Sequence, residues 1–223
     1  MPARARRAGP VRLAFTHAVQ DWWYGLIPFA VLNLVWLGCV ATVVAGPPAT
    51  AALFVVARDA AIGQGAEPST FFYALRRYFW RSWGLGLVSA AGTFLFVFDL
   101  YYYADRLAGT GIAFNVGVFF LVYVLLVWLE FLLMAWPLLV NHPAMGLRHV
   151  LRNAAIVTLR TPGANFGLAA IVVLLTLFSI WFSPFVGLGL GALVALLAQH
   201  YLHIQAPVLA NFPPRPGEGP LDE

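Results

Sequence analysis

Long apolar runs, separated by short segments that hold the charges, make up most of this chain. A membrane helix needs about 20 mostly apolar residues, and five runs meet that need. They cover residues 25–45, 83–103, 112–140, 165–183 and 185–202. A sixth run, 48–63, carries Arg58 and Asp59 and would extend only about 23 Å as a helix. The pattern therefore predicts an all-α membrane protein in which residues 48–63 either cross thinly or dip and return.

The positions of the arginines favour a crossing. All basic residues of the chain are arginines, and basic residues that flank membrane helices are retained in the cytoplasm. If residues 48–63 cross, Arg106 alone stays outside; if they dip and return, Arg76, Arg77 and Arg81 are external. The sequence thus predicts a polytopic bundle of six transmembrane helices in three hairpins, the second one short, with both termini inside.

Three shorter segments, 11–23, 69–81 and 144–160, have apolar residues at helical spacing and polar or arginine residues opposite. This pattern is typical of amphipathic helices that lie in the membrane interface. In one interpretation they are cytoplasmic loop helices whose arginines snorkel. In another they form a surface for a partner or for anionic lipid. The arginines of that surface are Arg76, Arg77, Arg81, Arg148 and Arg152.

The predicted organisation is a single membrane domain over residues 11–211, between a basic tail at 1–10 and a proline-rich, disordered tail at 212–223. The first apolar run begins too far into the chain, and runs too long, for a secretory signal. The single cysteine, Cys39, excludes an intrachain disulfide.

Polar groups inside apolar spans need a partner or water. By depth in the predicted spans, Asn33, Arg58, Glu130 and His200 could share one layer of the inner leaflet. We expect Arg58 to pair with Glu130, while Asn33 and His200 complete a polar pocket open to the cytoplasm. A ligand pocket and separate snorkelling of the four groups are the alternatives.

A second cluster lies where the third span leaves the membrane on the outer side. It contains Asp99, Tyr101, Tyr102 and Tyr103. Tyrosines favour the headgroup level of a bilayer, so an aromatic belt is the simplest interpretation. A surface that stacks on sugars is the alternative.

Other chemistry finds little support in the sequence. Glu130, His200 and His203 lack the spacing of a metal site, and neither a nucleophile motif nor a cofactor motif is present. Basic residues are spread between spans and form no nucleic-acid face. The sequence therefore predicts neither a metal, a cofactor nor an enzyme, and it leaves a homo-oligomer open.

Three local patterns resemble the YesL-like family of bacterial integral membrane proteins. They are NLVW, which contains Asn33 and Trp36, PATAALFVVAR from Pro48 to Arg58, and the Asp99 and Leu100 pair in FDLYYY. The resemblance implies a multi-pass protein of the bacterial cytoplasmic membrane with no established activity. It also implies an accessory or regulatory role beside a carbohydrate uptake transporter of the ABC type. A small solute transporter or channel, and less so an intramembrane enzyme, are the alternatives.

Overall fold

A computed structural model describes residues 9–107, 112–160, 162–182 and 189–205. Those residues form nine helices and no strand, so the predicted all-α class is confirmed. The first four helices are α1 (Pro10–Tyr24), α2 (Leu26–Ala41), α3 (Gly46–Ala61) and α4 (Pro68–Arg77). The others are α5 (Phe79–Leu107), α6 (Ile112–Asn141), α7 (Leu147–Arg160), α8 (Pro162–Trp181) and α9 (Leu190–Gln205). The predicted tail at 212–223, and most of that at 1–10, lie outside the described residues.

Local sequence sets several of these boundaries. Pro10, Pro47 and Pro68 stand in the first turns of α1, α3 and α4, where a missing backbone N–H costs nothing and the fixed φ suits a helix. Helix α2 stops at Ala41, four residues before the end of the predicted span 25–45, and Val43 has a φ of 60° in the turn that follows. The predicted helix 69–81 breaks at Tyr78.

Two helices are long and apolar enough to cross a membrane by themselves: Phe79–Tyr103 within α5 and Val116–Asn141 within α6. Their outer surfaces carry large exposed apolar side chains, such as Phe94 (73% exposed) and Phe119 (76%). Such a surface is unfavourable in water and favourable against lipid tails. The membrane character of the chain follows from this pair of helices.

Two further pairs of helices pass the same test only when joined. The α1–α2 pair bends by 94° and the α7–α8 pair by 103°. In both pairs a helix predicted to be amphipathic runs into an apolar one at nearly a right angle. The described residues thus hold two candidate spans, or up to four if each bent pair counts as one; six crossings stay a prediction.

Helix α3 lies at the centre of the bundle and is buried on nearly every side. Ala49, Ala51 and Ala52 are fully buried, and so is Val56. These small side chains allow neighbouring helices to approach closely. With 16 residues, α3 is about 24 Å long, shorter than a hydrocarbon core of about 30 Å.

The last turn of α6 is a meeting point for several helices. The carbonyl of Val140 accepts hydrogen bonds from the Tyr78 hydroxyl (3.1 Å) and from Arg58 Nη1 (3.4 Å). Arg81 of α5 donates to the carbonyls of His142 (2.8 Å) and Met145. We call this region, around residues 138–147, the arginine end of the bundle.

Helix α9 also reaches the arginine end. Asn141 Nδ2 donates to Gln199 Oε1 (3.0 Å), and Gln199 Nε2 donates to the carbonyl of Phe54 (3.0 Å). The end of α6, the second half of α3 and the second half of α9 are therefore held at one level by a buried hydrogen-bonded network.

Candidate functional site

The four residues predicted to form one polar pocket lie in two places. Arg58 belongs to the arginine end, where its Nη2 and Nε lie 2.8 and 3.0 Å from Asp59 Oδ1. Because its third contact is the carbonyl of Val140, Arg58 is level with the last turn of α6. Glu130 lies about ten residues earlier in α6, or roughly 15 Å along the axis. The predicted ion pair between Arg58 and Glu130 is therefore wrong.

His200 also lies at the arginine end. Its Nε2 is 2.7 Å from Asp21 Oδ2 of α1, and its ring centroid is 5.6 Å from that of His17. His17 and Asp21 belong to the segment 11–23, which the sequence predicts to be an amphipathic helix. The sequence does not predict their contact with His200, since nothing local in it joins α1 to α9. Within the described residues, no group of three or more metal-ligating side chains comes together here or elsewhere.

Asn33 lies higher in the bundle and is fully buried. Its Oδ1 accepts a hydrogen bond from the backbone N–H of Gly191, at 3.1 Å. This bond places the first turn of α9 beside the middle of α2. Asn33 thus joins α2 to α9.

A cavity of about 510 Å³ lies among α2, α3, α6, α8 and α9. Its walls are nearly all apolar and include Trp36, Leu133, Val172 and Val194. On one wall Trp36 Nε1 donates a hydrogen bond to Thr50 Oγ1, at 3.1 Å. The cavity has the size and the apolar lining typical of small-molecule sites in proteins.

Among the residues that the structure describes, Glu130 is the one ionisable side chain on the lining of this cavity. It is 6% exposed, and its carboxyl group contacts the backbone of Ala169. Its Oε1 has no hydrogen-bond partner in the part of the chain that the structure describes. A buried polar oxygen without a donor is costly in free energy. Of the predicted pocket residues, Glu130 alone faces a space that a ligand could occupy.

Four of the five arginines predicted to form a surface for a partner or for anionic lipid are exposed, and Arg81 is not. Arg76, Arg77, Arg148 and Arg152 are exposed. Arg81 is partly buried and is used to bind the carbonyls that follow α6, so its guanidinium stabilises the arginine end. Arg77 also donates to the Tyr73 hydroxyl (3.0 Å) and lies over that ring.

The outer cluster lies at the opposite end of α5 from Arg81. Tyr101, Tyr102 and Tyr103 are 72%, 49% and 41% exposed, and Asp99 is partly buried. The rings of Tyr102 and Tyr103 meet edge to face, with centroids 6.3 Å apart. Exposed tyrosines at the end of a candidate span suit an aromatic belt; a role in sugar contact stays a prediction.

Residues 29–100 match the family model described as "Protein of unknown function, DUF624". The matched segment covers about a third of the chain and contains all three patterns of the YesL-like resemblance, from Asn33 to Leu100. Comparison with curated proteins and with solved structures gives no match. The family match supports a domain of unknown function, while the YesL-like assignment stays a prediction.

Proposed function

We propose that this chain is a non-enzymatic accessory protein of the bacterial cytoplasmic membrane, which assists or regulates an ABC-type carbohydrate uptake system. It binds its partner through exposed arginines of the amphipathic helices α4 and α7 at the cytoplasmic surface, namely Arg76, Arg77, Arg148 and Arg152. The single observation that carries the proposal is the grouping of α4, α7 and the arginine end on one side of an apolar bundle.

The contacts of that end support a common side for these helices. Arg81, three residues after the break that ends α4, donates to His142 and Met145, and Met145 lies just before α7. The exposed arginines of α4 and α7 are therefore carried by neighbouring segments. Positive charge near one membrane face is the arrangement expected of the cytoplasmic side.

The same contacts support six crossings, which form part of this proposal. Helices α3, α6 and α9 all approach the arginine end with their second halves, through Arg58, Val140 and Gln199. Helices α2 and α8 each leave an amphipathic helix at a right-angle bend, and α5 starts at the arginine end with Arg81. The helices then form three pairs, α2 with α3, α5 with α6, and α8 with α9. In each pair the first helix leaves the cytoplasmic side and the second returns to it, so both termini lie inside.

The choice of a carbohydrate transporter as partner rests on the resemblance to the YesL-like family. The structure contributes the chemistry of the binding surface, which consists of exposed guanidinium groups. These groups bind carboxylates with two parallel hydrogen bonds, so they suit an acidic patch on a permease or on its ATPase subunit.

Crosslinking in native membranes, followed by affinity purification and mass spectrometry, tests the proposal. We expect the permease subunits of a carbohydrate ABC transporter to be recovered with the wild-type chain. Recovery should fall about tenfold when Arg76, Arg77, Arg148 and Arg152 are all changed to Gln.

A matched control changes Arg12 and Arg160 to Gln, since both are exposed arginines outside that set. The proposal fails if no transporter subunit is enriched. It also fails if the control variant loses the partner as completely as the fourfold variant does.

A further inference from the structure

The cavity among α2, α3, α6, α8 and α9 combines two properties that point to one kind of ligand. Its volume is about 510 Å³ and its walls are almost wholly apolar, so a hydrophobic body gains free energy on entering it from water. Within the described lining, a single carboxyl group, that of Glu130, interrupts the apolar wall.

That carboxyl group lacks a full set of partners. Glu130 Oε1 is buried and has no hydrogen bond from any described residue, although a buried polar atom normally has one. The guanidinium groups of Arg58 and Arg81 are bound at the arginine end. The group that Glu130 lacks is thus a hydrogen-bond donor inside the cavity.

We propose that this cavity binds a single-chain aliphatic molecule with one hydrogen-bond-donating end, an ammonium or a hydroxyl group, and that Glu130 accepts that hydrogen bond. The chain lies against Trp36, Leu133 and Val194, and the donating end faces Glu130 Oε1. This inference is independent of the proposed partner, since it concerns the interior of the bundle and not the arginine surface.

The chemistry also excludes other ligand classes. Free sugars and phosphorylated compounds need many polar partners, which the apolar walls do not provide. An aliphatic amine forms a charge-assisted hydrogen bond with the carboxylate, and an aliphatic alcohol forms a neutral one.

Native mass spectrometry of the full chain, released from detergent micelles, tests this inference with three probes of equal chain length. They are 1-dodecylamine, 1-dodecanol and 1-methoxydodecane, which has no donor. We expect one bound molecule per chain for the amine and for the alcohol, and binding of the ether weaker by about tenfold or more.

Two variants assign the binding to this cavity. Glu130→Gln should weaken the amine by about tenfold, as expected when a charge-assisted hydrogen bond becomes neutral. Glu67→Gln is the matched control, because Glu67 is exposed and does not line the cavity. Val194→Phe should reduce binding of both donors by narrowing the cavity.

Thermal unfolding of each variant without probe shows that it is folded before binding is compared. The inference is overturned if the ether binds as tightly as the amine and the alcohol, which would indicate a cavity that accepts any alkyl chain. It is also overturned if Glu130→Gln, folded like the wild type, binds the amine as tightly as Glu67→Gln does.

Discussion

Asn33 Oδ1 accepts a hydrogen bond from the backbone N–H of Gly191, 158 residues away in sequence, at a distance of 3.1 Å. The amide group supplies a partner to an N–H in the first turn of α9, which has no acceptor within its own helix. A buried asparagine of α2 thereby fixes the level at which α9 begins. From there α9 descends to the arginine end, where His200 contacts Asp21.

The contact between α2 and α9 leaves no room for a side chain at Gly191. A Cβ there would lie 2.7 Å from Asn33 Oδ1 and 3.1 Å from the Trp36 ring. We expect Gly191→Ala to lower the free energy of unfolding by about 1–3 kcal/mol, the usual range for overpacking. Gly38→Ala is the matched control, since a Cβ at Gly38 meets nothing within 4 Å.

Denaturation in detergent micelles measures both variants. Equal stability of Gly191→Ala and Gly38→Ala would contradict the close approach of α2 and α9.

Arg81 is predicted to stabilise the fold, whereas Arg76 is not. Arg81 donates to two carbonyls beyond the end of α6. Its removal takes the side-chain donor from both and leaves the His142 carbonyl with the backbone N–H of Met145. We expect Arg81→Gln to cost about 1–3 kcal/mol of stability, while Arg76→Gln, at an exposed position, leaves the melting temperature unchanged. If the two variants have the same melting temperature, the hydrogen bonds of Arg81 do not stabilise the fold.

The contact between Asp21 and His200 predicts energetic coupling between α1 and α9. Their side chains are 2.7 Å apart, and the His200 side chain is 5% exposed. A double-mutant cycle with Asp21→Asn and His200→Gln should give a coupling of about 0.5–3 kcal/mol, as for residues in direct contact. Strictly additive effects would show that α1 is not held against α9 by this pair.

Arg58 and Glu130 provide the opposite case. Arg58 is paired with Asp59 at 2.8 Å, and Glu130 lies in the cavity wall. We expect the losses of stability in Arg58→Gln and Glu130→Gln to add within about 0.5 kcal/mol, as for separate sites. A larger coupling, measured by the same unfolding assay, would restore the direct ion pair that the structure lacks.

Hydropathy and arginine placement predicted the helical class and the places where amphipathic and apolar segments alternate, because both signals are local. Helix periodicity is present in each segment whatever its neighbours are. The break at Tyr78 between α4 and α5 was missed, since an apolar residue at that position continues the helical pattern.

Depth along the bundle could not be predicted from residue counts. The sequence gives each polar residue's distance from the end of its own apolar run, but the runs end at different levels. Asn33 and Gly191 show that α9 starts halfway along α2, and Arg58 is level with Val140. The predicted pocket rests on spans that end at the same level. It therefore combines Arg58 with Glu130, which lie about three helical turns apart along the bundle.

In the proposed arrangement, the amphipathic helices and the arginine end share the cytoplasmic side of the membrane. Single cysteines at Ser69, His149 and Asp105, all exposed positions, test it in a chain that carries Cys39→Ala. Labelling of intact cells with a membrane-impermeant maleimide should modify the cysteine at 105, and those at 69 and 149 only after permeabilisation. Labelling of position 69 or 149 in intact cells would contradict the account.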